Sequence, residues 1–157
     1  MRMLRAFLEG VGSSYLPDEE GVVKVNNKRF TLDKGLSGLI VRRDNLVYAG
    51  RFMGKNRRGF HPSAILLREL ASEEGPLNRV HVDREVGWLF VCGRDVFEES
   101  ALRVEGGFEE GTLSLVMMEG HCLGYGRVEP SEGRRILKNL FDIGDFLRRE
   151  RWRERTP

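Results

Sequence analysis

Beyond Arg79 the apolar residues of this chain come in short runs closed by glycine, and that spacing constrains the fold more than any other feature. RVHV, ALRVE, TLSLVMM and CLGYGRV are each the length of a strand, and glycine-bearing turns separate them. One segment breaks the pattern. REVGWLFV is expected as a helix that closes near Gly93, because glycine accepts the left-handed conformation that ends a helix.

The first half has a different texture. Met3, Leu4, Phe7 and Leu8 recur at helical spacing, so a short helix opens the chain and stops at Gly10. GVVKVNNKRFTL reads as two strands around an Asn26-Asn27 turn, and SGLIVRRDNLVYAGRFMG as a second hairpin turning near Arg43-Asp44-Asn45. HPSAILLREL reads as a helix with Pro62 in its first turn and Ile65, Leu66 and Leu70 on its apolar face. The polar stretch ASEEGPLN then marks a boundary. The expected organisation is α+β: an N-terminal α/β domain of mostly antiparallel strands over 1–77, a second domain of mixed β structure over 78–150, and a charged tail over 151–157. FDIGDFLRRE is expected to close the second domain as a helix capped by Asp142, with Ile143, Phe146 and Leu147 on its apolar side.

Composition excludes several classes of function. The formal charge is only +2, so any affinity for nucleic acid must come from where charges lie. No run approaches a membrane span, and the apolar start is too short for a secretion signal. A cytoplasmic protein is expected. Cys92 and Cys122 both lie in apolar runs and read as reduced core residues. GRFMGKN has one residue too few for a phosphate-binding loop, and Asn56 stands where that loop needs Ser or Thr. Gly124-x-Gly126 lacks a third glycine and reads as a closely packed strand. His61, His81 and His121 have no partner at ligand spacing, and no serine sits in a nucleophile elbow. The paired acids, such as Glu98-Glu99, read as solvated turn residues. No catalytic residue, metal site or cofactor is expected, and the chain does not read as an enzyme.

Two basic clusters remain. GRFMGKNRRG carries Arg51, Lys55, Arg57 and Arg58 with no acid among them, and Phe52 and Phe60 beside them could stack on bases. GRRILKNL carries Arg134, Arg135 and Lys138, also without an intervening acid. As helix or as strand, Arg134 and Lys138 share a face, and guanidinium suits bidentate contact with phosphate. The tail arginines, Arg148 to Arg155, alternate with Glu150 and Glu154 and read as a solvated helix.

The stretch from RVHVDREVGWLFVCGRDV through EEGTLSLV to LGYGRV resembles a PUA domain, an RNA-binding pseudo-barrel. The usual Pro-Gly after the first helix is replaced by FEESAL. The whole chain is similar to the archaeal members of the Nip-seven ribosome-biogenesis family, most closely over GRRILKNLFDIGDFLRR. That resemblance implies a C-terminal PUA domain, no catalysis, and a role in maturing large-subunit ribosomal RNA with other assembly proteins. It implies RNA contacts at Arg134, Arg135 and Lys138; a further basic position of the family is Phe141 here. AGRFMGKNRRGFHPSAILL also resembles the RNA-binding region of the Nol/Nop/Sun ribosomal-RNA methyltransferases, where a glycine-rich segment precedes a Pro-Ser pair as at Pro62-Ser63; Lys55, Arg57 and Arg58, singled out above by their charge, lie within it. The alternatives are a free-standing RNA-binding relative of those enzymes, without their methyltransferase domain, and a protein-interaction adaptor.

Overall fold

The protein is described from a computed structural model, which covers residues 1–15, 17, 21–33, 35–36, 45–145 and 147–148. Helix α1 (Arg2–Gly10) presents Leu4, Phe7 and Leu8 to the core. Strands β1 (Val22–Val25) and β2 (Lys28–Thr31) form the first expected hairpin, and Asn26 takes the positive φ of 54° that the tight turn needs. The first arm of the second expected hairpin falls on residues 37–44, outside the described residues. Its other arm, β3 (Arg51–Asn56), pairs with β2 on one side and with β4 (Phe60–Pro62) on the other. The first sheet therefore runs β1-β2-β3-β4.

Pro62 does not start the following helix, contrary to the sequence expectation; it ends β4. Ser63 is the better cap, because its hydroxyl accepts from the Leu66 amide at 3.1 Å. It also donates to the Phe52 carbonyl at 2.7 Å. Helix α2 (Ala64–Ala71) follows, burying Leu66, Leu67 and Leu70.

The second half has β5 (Arg79–His81), α3 (Arg84–Val91), β6 (Val96–Phe97), a short 3-10 turn (Glu98–Ser100), β7 (Arg103–Glu105), β8 (Leu113–Met118), β9 (His121–Ser131) and β10 (Arg134–Asp142). They form one curled sheet in the order β6-β10-β9-β8-β5-β7. Only β5 and β8 run parallel among these pairs. This is the expected α+β architecture. Gly124 and Gly126 act as the strand reading proposed, since a Cβ at either would overlap a β10 carbonyl. Asp83 caps α3 through the Val86 amide at 2.9 Å. Cys92 corrects an expectation: it is exposed. The buried stripe of α3 runs through Gly87 and Phe90, which turns Trp88 and Cys92 outward.

The two faces of the curled sheet bury different things. Its inner face holds Val80, Phe90, Val96, Val116, Val128 and Leu137. Its outer face carries Leu115, Met117 and Tyr125, which pack against Leu4, Phe7 and Leu8 of α1 and against α2. Phe7 meets Tyr125 edge-on at 5.3 Å. One apolar cluster thus joins residues from both sides of position 77.

Candidate nucleic-acid interface

The segment GRRILKNL is strand, and β6 lies against it with Ile136 opposite Phe97 and Leu137 opposite Val96. That register decides the fate of the three candidate cations. Arg134 Nη1 lies 2.6 Å from Glu99, and Arg135 Nε donates to Glu98 at 2.9 Å. Lys138 Nζ lies 3.1 Å from Asp95. Read antiparallel, Asp-Val-Phe-Glu-Glu (95–99) faces Lys-Leu-Ile-Arg-Arg (138–134) residue for residue. Arg135 is also held by the Phe108 carbonyl at 2.8 Å and sits over the Phe108 ring at 5.5 Å. The Glu98 hydrogen bond raises its pKa further. Glu98 and Glu99 are therefore not the free solvated carboxylates expected from the sequence. These pairs stand half-exposed at the surface, where ion pairs are weak, so a phosphate can compete for the cations.

The hairpin β3–β4 presents the opposite arrangement. Lys55 lies opposite Lys28 on one neighbour and His61 on the other. Arg57 and Arg58 extend from the turn beyond it, both exposed. Lys28, Lys55, Arg57 and Arg58 have no acid partner among the described residues. Like charges directly opposite one another across strands oppose folding. Burial, with Lys55 and Arg57 nearby, lowers the His61 pKa, so the ring stays neutral near pH 7. Arg51 is different, being paired with Glu69 at 2.6 Å. Gly54 allows the two strands of the hairpin to meet, since its φ is 153° and a Cβ would overlap the His61 carbonyl. Phe60 was expected to stack on bases; it is instead buried against Phe7 at 5.6 Å. Phe52 is only partly buried.

The two clusters are connected along one surface. A cleft of about 600 Å³ separates the hairpin from the end of β10, with Phe52, Lys55 and His61 on one wall and Tyr125, Leu140 and Phe141 on the other. Tyr125 and Phe141 are register partners on the outer face of the sheet. The next outer pair along the same two strands is Arg127 and Lys138; the pair after that is Glu129 and Ile136, and only beyond it does Arg134 follow on β10. Arg135 points to the opposite face, as strand alternation requires. Arg127 is exposed and has no acid partner among the described residues. The sequence reading missed it, although its alternation with Tyr125 in CLGYGRV was the available signal. Phe141, where the basic position of the resembled family is lost, is part of the cleft.

Arg148 also departs from expectation. Far from being solvated, it grips the buried Asp142 through both terminal guanidinium nitrogens, at 2.9 and 2.8 Å, and donates to the Val91 carbonyl. Asp142 further accepts from the Gly144 amide at 2.9 Å. This corrects the expected helix cap: Asp142 is the last residue of β10 and pins the turn at 143–144, and helical structure begins only at Asp145. Phe146 and residues 149–157, which include the rest of the expected closing helix and the tail, lie outside the described residues.

With this geometry in place, comparison with known proteins is informative. Residues 78–151 match the model of the UPF0113 PUA domain. A UPF0113 protein of Aeropyrum pernix is 30% identical over 155 residues, covering 94% of this chain and 87% of that one. Among solved structures, a conserved PUA domain protein from Thermoplasma acidophilum aligns with a TM-score of 0.56 at 17% identity, over 95% of this chain and 94% of that chain. A PUA domain from Aeropyrum pernix, solved as a tartrate complex, gives a TM-score of 0.56 at 16% identity, over 93% of this chain and 84% of that chain. These two likenesses are of fold.

Proposed function

The chain belongs to the UPF0113 family and carries its PUA domain, and from that premise we propose that it is a non-catalytic RNA-binding protein whose binding face is the outer surface from the β3–β4 hairpin to β10. The observation that carries this reading is the pair Lys28 and Lys55, flanked by the neutral His61 and with Arg57 and Arg58 beyond it, since the chain bears the cost of that repulsion with no acid among the described residues to relieve it. Phosphate supplies the missing counter-charge, and guanidinium binds it through two hydrogen bonds. The continuation to the outer pair Arg127 and Lys138 gives an RNA backbone a path rather than a point, with Arg134 set apart from it by the pair Glu129 and Ile136. In this reading the β10 trio is a second, internally neutralised part of the interface. The PUA domain, together with the resemblance of GRRILKNLFDIGDFLRR to ribosome-biogenesis proteins, favours ribosomal RNA as the target and ribosome assembly, alongside other assembly proteins, as the setting.

The protein works by position: it holds an RNA segment and brings no catalytic group to it. Titrating a labelled single-stranded RNA at increasing salt tests this. The logarithm of the association constant should fall linearly with that of the salt concentration, because each neutralised phosphate releases counterions. Absent or salt-independent binding would end the reading.

A further inference from the structure

The cleft between the β3–β4 hairpin and the end of β10 has a use that a simple phosphate track does not require. We propose that it receives one unpaired RNA base, flipped off the strand, while the flanking phosphates lie on Lys55 to one side and on Arg127 and Lys138 to the other. This rests on the RNA-binding reading and makes it specific.

Three observations carry the proposal. The size is sufficient, because about 600 Å³ falls within the range of clefts that take a drug-sized ligand and so admits one base with room to spare. The lining is right, because Phe52, Ile65, Leu140 and Phe141 present partly exposed apolar and aromatic surface, and a base has two apolar faces that stack on such groups. The charge distribution is right. Lys55, with Lys28 behind it, opens onto one side, and Arg127 and Lys138, the next outer-face pair beyond Tyr125 and Phe141, lie on the other. Cations thus bracket a slot with apolar and aromatic walls and polar groups, such as Ser63 and Asn139, that can meet the edge of a base. The two carboxylates on its wall, Asp142 and Asp145, both face Arg148, at 2.8 and 3.9 Å. A fatty chain would have no use for the cations, and an acidic peptide would bring no planar group for the slot. A base within a duplex cannot enter, so the ligand is single-stranded or locally unpaired RNA.

The test uses the full chain and short single-stranded RNAs in which 2-aminopurine, or an abasic residue, is moved along the strand. The expected result is a change of 2-aminopurine emission at one position and a loss of about tenfold in affinity when that position is abasic. Ala64→Trp fills the cleft from an exposed helix position and removes no cation. It should abolish both effects while keeping the salt dependence. The abasic series on the unaltered protein stands by itself if that variant folds poorly. Salt-dependent binding that is indifferent to abasic substitution overturns the cleft and leaves RNA binding intact. A lack of salt-dependent binding overturns both.

Discussion

The cations of β10 and those of the β3–β4 hairpin look alike in the sequence and differ in what opposes them. Arg134, Arg135 and Lys138 each meet a carboxylate from residues 95–99, delivered by the pairing of β6 with β10. Lys55 meets Lys28 and His61 instead, and the hairpin turn adds Arg57 and Arg58. The first arrangement helps to assemble the domain. The second works against folding, and a phosphate backbone would compensate it. Counting charges along the chain cannot separate the two, because the deciding residues lie on other strands.

Breaking the difference directly should have the largest effect. Lys55→Glu with Arg57→Glu should weaken binding to single-stranded RNA by roughly 100-fold or more in a gel-shift titration, since two charge-assisted contacts become repulsions. The same titration with an unchanged midpoint would remove the hairpin from the interface. The stability of single variants sharpens the comparison next. Arg135→Ala gives up the Glu98 pair, the Phe108 carbonyl and the ring beneath it, and should lower Tm by about 2–4 °C. Lys55→Ala relieves repulsion and should leave Tm unchanged or raise it slightly; calorimetry distinguishes these outcomes.

Releasing the β10 cations should act in the opposite sense to removing them. Glu98→Gln with Glu99→Gln frees Arg134 and Arg135 and should tighten RNA binding by about fivefold at low salt. No change would mean that these cations never reach RNA. The smallest effect is that of pH. In the free protein the His61 pKa is lowered by burial and by Lys55 and Arg57, so the ring is neutral near pH 7. Bound phosphate offsets those cations and raises that pKa, so binding takes up protons and tightens as pH falls. Affinity should rise about two- to threefold between pH 7.5 and 6, and His61→Gln should flatten the profile. Folding shows the reverse trend, because the lowered pKa costs stability as pH drops below the unfolded value of 6.5.

Much of the fold was legible because its signals are local. The Asn26-Asn27 turn, α1 and the strand-and-glycine pattern after Arg79 depend on neighbours within a few residues. Pro62 misled because a proline suits a first helical turn, while the hydroxyl of Ser63 caps the helix directly. Cys92 misled because an apolar run does not say which helix face each residue occupies. The candidate site was half legible. Lys55, Arg57 and Arg58 stand out by the absence of local acids, and among the described residues no acid from another strand pairs with them either. The same rule failed for β10, whose acids lie 35 to 43 residues upstream. The complementary strings DVFEE and RRILK were nevertheless present to be matched in reverse. Arg127, alone among glycines and apolar residues, gave no cluster to notice.

The account turns on which cations meet RNA, and the salt dependence of binding measures that most directly. The slope against the logarithm of salt should be compared for the unaltered protein, for Lys55→Ala/Arg57→Ala/Arg58→Ala and for Arg134→Ala/Arg135→Ala/Lys138→Ala. Each phosphate contact on a single strand contributes about 0.7 to that slope. The hairpin variant should lose about 2, and the β10 variant less than about 1. A β10 variant that loses the larger share, with the hairpin variant unchanged, would contradict the account.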